Sequence, residues 1–430
     1  MRLLIVTRIF PSSAQPEHAP YNRLQFGELA KLCQVRLLAL VPWLPGRELL
    51  RGSARDRVPR AETVDGLPVE HPRVLYAPGL ARPLSGLAYT ASLWPHVRRE
   101  RGHVDLVLGS FAYPDGWAAV ALGRLLGVPA AIKLHGSDVH VYGQDPLLRP
   151  LVRSALRRAA AVVAPSQELV DAAVSLGANP QTSCAVPNGV DQRAFRARER
   201  DACRVALGHS NDRDRWVLFV GRVERQKGVL DLMQAFLTVA RTMPDARLVL
   251  LGDGVDRPRC EAFARANDLR VLFAGARRPD DVPLWMGASD LVTLPSWAEG
   301  TPNVILEALA SGRRVVATAV GGIPAVVDDP LLGELVAPRS PEQLGRALVR
   351  ALGTSFEPAA VRARAATIGW RESAAVLFRL LGAAATGAPM PQAESRLGGA
   401  RSAVRPADAH PTAVARRVAR TYGERRVQDR

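Results

Sequence analysis

Short apolar runs recur along this chain, and nearly every one is followed by a stretch with helical periodicity. That alternation admits few folds. Parallel strands need crossover connections, and the helices that supply them cover both faces of the sheet. A first series of strands is expected near Leu3–Thr7, Val35–Leu40, Leu106–Leu108, Ala130–Leu134, Val162–Ala164 and Cys184–Val186. A second is expected near Trp216–Val220, Leu248–Leu251, Val271–Phe273, Leu291–Leu294 and Val315–Thr318, and Asn188 to Arg200 separates the two. The fold class is therefore α/β, with two Rossmann-like doubly wound domains facing a cleft and ligands at the carboxyl ends of the strands. A chain of 430 residues, 47% of them hydrophobic, can fill two such cores. The expected division is 1–195, 196–368, a helical segment over 369–385 that opens at Trp370, and a tail over 386–430. The tail is basic, loses all periodicity and is expected to lack order, apart from a short helical pattern around Thr412 to Tyr422 that carries Arg416, Arg417 and Arg420.

The densest chemistry lies in Leu294-Pro-Ser-Trp-Ala-Glu-Gly-Thr-Pro-Asn-Val-Ile-Leu-Glu-Ala-Leu-Ala-Ser-Gly312. The end of a buried strand leads through a turn into a helix, with Thr301 as N-cap, Pro302 at the first helical position and Gly312 as the stop. First-turn amides, including those of Asn303 and Val304, then point back at the strand end and form an anion site. Glu299 stands just before it, and Glu307 lies one turn beyond Asn303 on the same face. Carboxylates beside an anion site suit a ligand that carries both phosphates and hydroxyls. The same residues also suit a plain capped amphipathic helix with two solvated glutamates.

Other strand ends add charge to the cleft. Gly221-Arg222 leads to Lys227-Gly228 and a helix start, where a guanidinium and an ammonium can clamp a diphosphate. A surface pair with Glu224 is the simpler alternative. Gly252-Asp253-Gly254, Phe273-Ala274-Gly275 and Gly321-Gly322-Ile323-Pro324 follow later strands. In the first half, Lys133-Leu134-His135-Gly136-Ser137-Asp138 leaves His135 at a sheet edge, and Ser110 to Gly116 makes another turn at the cleft. The long loop after the first strand holds Ser12 and Ser13. Arg47 to Glu62 reads as an exposed loop.

The segment "P-S-x-x-E-G-x-P-N-x-x-x-E-A-L-A-x-G" resembles the E-x7-E motif of retaining GT-B glycosyltransferases of family 4, the glycosyl transferases group 1. "G-R-x-x-x-x-K-G" at 221–228, H-G-x-D at 135–138 and "P-N-G-V-D" at 187–191 are similar to further elements of that family, and the likeness spans about residues 1–384. The resemblance implies transfer of a sugar from a nucleotide-diphosphate sugar, with retention, to a hydroxyl of a cell-envelope or exopolysaccharide acceptor that is lipid-linked. It implies that Arg222, Lys227, Gly300, Thr301 and Asn303 hold the diphosphate, Glu307 the ribose, and that Glu299 and His135 are catalytic. Ser12, Ser13, Asp115 and Asp138 fall on the acceptor side, and the helix opening at Trp370 would cross back onto the first domain. Ala19 departs from the pattern, standing where relatives carry glycine. A sugar-nucleotide epimerase and a glycogen-type synthase on the same fold are alternatives.

The net charge of +16 favours anionic partners. Arg149, Arg153 and Arg157, with Arg158 beside them, line one face of a helix within 146–160, and Arg98, Arg99 and Arg101 could extend the patch. This is either a solvated basic stripe or a dock for an anionic membrane. A non-enzymatic polyanion-binding protein is a further alternative, but it leaves the Arg222, Lys227, Glu299 and Glu307 set unexplained. No Walker sequence and no G-x-G-x-x-G after the first strand occurs, and no specific nucleic acid is expected. Asp212-Arg213-Asp214 precedes a strand and reads as an exposed loop, so neither a metal nor another cofactor is expected. The cysteines Cys33, Cys184, Cys203 and Cys260 have no paired spacing, no apolar run reaches eighteen residues, and no cleavable leader is visible. The expected location is cytoplasmic, peripheral at the inner face of the plasma membrane.

Overall fold

The structure is a computed structural model that describes residues 1–16, 18–43, 57–76, 79–210, 214–300, 302–365 and 367–391. The expectations placed on Thr301, on Asp212, on most of Arg47 to Glu62 and on the tail beyond 391 lie outside the described residues.

The first half is built on an eight-stranded sheet. Its order across the sheet is Ser183–Ala185, Ala161–Ala164, Ala130–Lys133, Leu106–Ser110, Arg2–Thr7, Gln34–Ala39, Leu67–Glu70 and Ala61–Val64. All neighbours are parallel except the last pair, an antiparallel hairpin. The hairpin corrects the expected loop: Ala61 and Glu62 already lie in a strand. A parallel pair, Val41–Trp43 with Arg73–Leu75, stands beside this sheet. The second half holds a six-stranded, wholly parallel sheet in the order Val271–Gly275, Ala246–Leu251, Arg215–Val220, Leu291–Leu294, Val315–Thr318 and Gly333–Val336.

The strands read as near-continuous apolar runs because helices cover both faces, so alternation is lost. Leu4, Ile5, Leu248 and Val292 are fully buried. Each sheet starts near its middle, builds outward to one side and then returns to build on the other. The reversal falls between Arg2–Thr7 and Leu106–Ser110 in the first sheet, and between Arg215–Val220 and Leu291–Leu294 in the second. Loops diverge at such points and leave a crevice. The segments that follow these four strands carry most of the candidate site.

The helix Trp370–Thr386 leaves the second half and packs Ala374, Leu377, Leu380 and Leu381 into the same buried cluster as Leu3, Ile5, Phe26 and Leu29. At its start, Ser373 Oγ donates to the Pro187 carbonyl at 2.6 Å and accepts from Gln25 Nε2 at 2.8 Å. Among the described residues, no helix is long and apolar enough to cross a membrane.

Candidate functional site

In the second half, Lys227 reaches back to the loop after Leu291–Leu294 and sets its Nζ 2.7 Å from Glu299 Oε1. Ser296 Oγ donates to the same oxygen at 2.5 Å. Thr318 holds that loop from below by donating to the Ser296 carbonyl at 2.6 Å. Arg222 is mostly exposed and pairs with Glu224 at 3.1 Å, so of the two cations only Lys227 meets Glu299.

The helix after this loop runs Asn303–Ala310, one residue later than the sequence suggested. Pro302 occupies the N-cap, not the first helical position, because its carbonyl is already the first helical acceptor, from Ile305 at 2.9 Å. The amides of Asn303 and Val304 have no acceptor inside the helix by position. The Asn303 side chain is engaged, accepting from Asn188 Nδ2 at 2.9 Å across the two halves. Glu307 stands one turn on, half-buried, and burial raises its carboxyl to about 7. Among the described residues no hydrogen bond or ion pair reaches that carboxylate.

Gly321 sits under Glu299 in a left-handed conformation, φ 54°. A Cβ there would fall 1.9 Å from the Glu299 carbonyl oxygen, so any side chain would push the loop out of place. The Gly322 amide donates to the Gly300 carbonyl at 3.1 Å. The opposite half meets this loop through bare backbone: a Cβ on Gly136 would stand 3.3 Å from the Gly300 Cα, and one on Gly300 would stand 3.0 Å from the His135 carbonyl oxygen. His135, Gly136, Glu299 and Gly300 are thus brought together at the floor of the cleft.

His135 Nε2 lies 2.8 Å from Ser110 Oγ, and its ring is flanked by Tyr21 at 5.4 Å and Phe111 at 6.3 Å. Burial, with Lys133 nearby, lowers its pKa well below the ordinary value, so the ring is neutral. Phe111 takes φ 118°, a strained conformation for a residue with a side chain.

The four residues expected on the acceptor side are placed differently from one another. Asp138 is fully buried and spends its carboxylate on the amides of His135, Gly136 and Ala112, at 2.9 to 3.2 Å. It shapes the turn that holds His135. Asp115 is also fully buried, accepts from the Arg8 amide at 2.8 Å and pairs with the Arg8 guanidinium at 3.4 Å, while burial raises its carboxyl to about 6. Ser12 is buried in a tight backbone bridge with Gln15, and the Ser13 amide donates to Glu62.

Several residues here were not singled out from sequence. Ser296 carries the one detectable signal, its place three residues before Glu299. Arg8, whose guanidinium lies 4.7 Å from the Phe111 ring centroid, and Asn22 and Lys133 carry none. Among the described residues no group of three or more His, Cys, Asp or Glu is placed to hold a metal ion. Asp214 is taken up by Arg247 at 2.9 Å and Arg270 at 2.6 Å.

The chain is similar to known proteins in sequence and in fold. Residues 214–354 match the family model described as "Glycosyl transferases group 1", and residues 28–193 match "Glycosyltransferase Family 4". TuaC of Bacillus subtilis (strain 168), assigned by name to teichuronic acid biosynthesis, is 29% identical over 362 residues, covering 81% of this chain and 89% of that protein. The 2-deoxystreptamine glucosyltransferase of Streptomyces kanamyceticus is 30% identical over 336 residues, covering 74% of this chain and 85% of that protein. Among solved structures, Anabaena HepE in complex with UDP superposes with a TM-score of 0.68 at 22% identity, over 89% of this chain and 100% of that one. WaaG, a glycosyltransferase involved in lipopolysaccharide biosynthesis, superposes with a TM-score of 0.60 at 19% identity, over 90% and 98% of the two chains.

Proposed function

We infer what this chain does from the premise that it belongs to the family 4, group 1 glycosyltransferases and has their GT-B fold. The reading is transfer of a sugar from a nucleotide-diphosphate sugar to a hydroxyl of a cell-envelope or exopolysaccharide acceptor, lipid-linked, with retained configuration and without a metal ion. The observation that carries it is the Lys227–Glu299 pair beside the helix start at Asn303, with the unpartnered carboxylate of Glu307 one turn further on. A diphosphate supplies the anion for Lys227 and the free amides. Ribose hydroxyls supply the donors for Glu307.

In the reaction, the bond between the anomeric carbon and the β-phosphate oxygen breaks, and a bond from that carbon to the acceptor oxygen forms. The acceptor's proton passes to the departing phosphate. Negative charge grows on the diphosphate as the bond breaks, so Arg222, Lys227 and the amides at Gly300 and Asn303 act more strongly on the transition state than on bound substrate. Glu299 holds the sugar beside Lys227 and stabilises positive character at its ring. His135, brought to the same floor from the other half, contacts the sugar, so closure of the halves completes the site.

The related proteins named for teichuronic acid and lipopolysaccharide biosynthesis support an envelope glycan as acceptor. A membrane surface fits the first half. Arg149, Arg153, Arg157 and Arg158 are exposed on the helix Arg149–Arg158, while its Val152 and Leu156 are buried. Arg82 pairs with Asp145 at 2.9 Å just ahead of that helix, which joins it to a segment exposing Leu80, Leu84 and Leu87. Basic residues beside exposed leucines suit an anionic bilayer.

Calorimetric titration with UDP-, GDP- and ADP-glucose, with Lys227→Ala as control, tests the donor site. Binding of one nucleotide class, lost in the variant, supports the reading, and no binding by the folded protein to any of them overturns it. Release of free sugar nucleotide of altered configuration without an acceptor would make the protein an epimerase instead. Sedimentation with phosphatidylglycerol vesicles, lost when Arg149, Arg153 and Arg157 are changed to serine, tests the membrane surface.

A further inference from the structure

A chain of buried hydrogen bonds ends on the His135 ring. Lys133 Nζ donates to Asn22 Oδ1 at 2.8 Å. Asn22 Nδ2 donates to the Ile9 carbonyl at 2.8 Å and to Ser110 Oγ at 3.2 Å. Ser110 Oγ lies 2.8 Å from His135 Nε2. Asn22, Ser110 and Lys133 are all buried, with exposures of 0%, 0% and 3%, so water cannot easily repair a mismatched donor or acceptor.

The far end of the chain sets the direction of every bond in it. Turning the Asn22 amide over would face its NH2 to the Lys133 ammonium and its oxygen to the Ile9 carbonyl. Burial lowers Lys133 to about 7, so its amine donates here in either form, and the Ile9 carbonyl, which has no proton to give, fixes the amide one way only. Ser110 therefore receives a proton from Asn22 and must give its own elsewhere. Among the described residues the one acceptor within reach of that hydroxyl is His135 Nε2. A proton on Nε2 would leave the Ser110 hydroxyl buried without an acceptor.

We propose that Lys133, Asn22 and Ser110 are positioning residues that hold His135 in the tautomer protonated on Nδ1. The inference rests on the reading of His135 as a residue that contacts the sugar, and gives it a definite part there. The lone pair of the ring faces Ser110, and among the described residues Nδ1 has no partner. His135 enters the cleft as a neutral hydrogen-bond donor to an oxygen of the bound sugar and has no free nitrogen with which to take the acceptor's proton. Tyr21 and Phe111 fix the plane in which that N–H points. Burial first, and then the charged form of Lys133, itself lowered by burial to about 7, disfavour a second proton on the ring.

The test is long-range 1H–15N correlation on the full chain labelled in histidine, with the His135 signals assigned by their loss in His135→Gln. The expected result is a pyrrole-like Nδ1 and a pyridine-like Nε2 near neutral pH. A proton on Nε2, or rapid averaging of the tautomers, in the wild-type protein overturns the proposal, and that readout requires no relay variant to fold. Ser110→Ala should release the ring to a mixture of tautomers and Ser110→Thr should restore the single form. An unchanged spectrum in Ser110→Ala also overturns the proposal. The premise fails separately. If His135→Gln binds and turns over UDP-, GDP- or ADP-glucose as the wild type does, His135 does not contact the sugar, whatever its tautomer.

Discussion

Lys227 and Glu299 stand 72 residues apart in sequence and 2.7 Å apart in space, at the mouths of two strands that flank the reversal in the second sheet. Each neutralises the other. On the proposed reading, a bound diphosphate would compete with Glu299 for the ammonium and leave the carboxylate to the sugar. Lys227→Ala should lower kcat/KM for the donor by roughly 10² to 10³, the usual loss when one donor to a developing anion is removed. Lys227→Arg should recover only part of it, since a planar fork does not replace a compact ammonium. Steady-state kinetics checks both, and an alanine variant with wild-type kcat/KM would remove Lys227 from the diphosphate site.

On the proposed role of Glu307, nucleotide binding should depend on pH near neutrality. Burial raises its carboxyl from 4.5 to about 7, so the folded protein keeps this proton longer than the unfolded chain does. The resulting stability is complete below the ordinary carboxyl range and is lost as pH rises through about 7. Glu307→Gln should therefore melt higher than the wild type at pH 8 and level with it near pH 4. Ligand hydroxyls favour the ionised form, so wild-type affinity for the nucleotide should rise between pH 6 and 8. The glutamine variant should bind roughly ten- to a hundredfold more weakly, with a flat profile, as when a hydrogen bond to a charge is lost. Calorimetry across that range reads both effects.

Ala19 caps the helix Pro20–Ala30 with φ 52° and ψ 57°, the left-handed conformation that glycine adopts without strain. The strain on alanine is about 1 to 2 kcal/mol, and glycine returns roughly 0.4 to 1 kcal/mol of it through the greater freedom of the unfolded chain. Ala19→Gly should stabilise the protein by about 0.5 to 1 kcal/mol. A higher urea midpoint at unchanged slope would register the gain, and a lower midpoint would refute it.

Gly321→Ala should do the opposite in a different place. The added Cβ would fall 1.9 Å from the Glu299 carbonyl oxygen, and backbone cannot yield as a flexible side chain can. Displacing Glu299 and Gly300 should cut nucleotide affinity by roughly tenfold or more, comparable to losing one or two hydrogen bonds. Titration of the variant against the wild type measures it. The loop after the first strand, in the other half, should keep its protection from proteolysis.

How far the structure was legible in the sequence depended on how local each signal was. Leu291–Leu294 and Val315–Thr318 were readable to the residue, because a short apolar run between turns has few other uses. The helix Arg149–Arg158 was equally plain from its i, i+4 arginines and the leucines between them. The hairpin Ala61–Glu70 was missed: its strands have mixed exposure and follow an arginine-rich segment. The strand Gly333–Val336 was missed because it is only half-buried along most of its length. Pro302 was placed one position too deep, since its preference for the first turn does not distinguish N-cap from N1 without φ and ψ. In the site, the glycines and glutamates stood out as motifs within a few residues of one another. The contacts that organise it did not, because Lys133 meets Asn22 across 111 residues and Asn188 meets Asn303 across 115. Tertiary pairing at that separation leaves no periodicity to read.

The seam where Gly136 approaches Gly300 has a consequence for recombining these proteins. A contact made of peptide groups carries no pattern of complementary side chains, so it does not care which sequence lies on either side. First and second halves drawn from two relatives that both keep these glycines would meet on the same surface. A chimera joined there would still need to match the Asn188–Asn303 bond, the approach of Ser166 to Gly322 and the face of the returning helix 370–386. On the proposed reading, acceptor and donor preference would then be exchanged as separate modules.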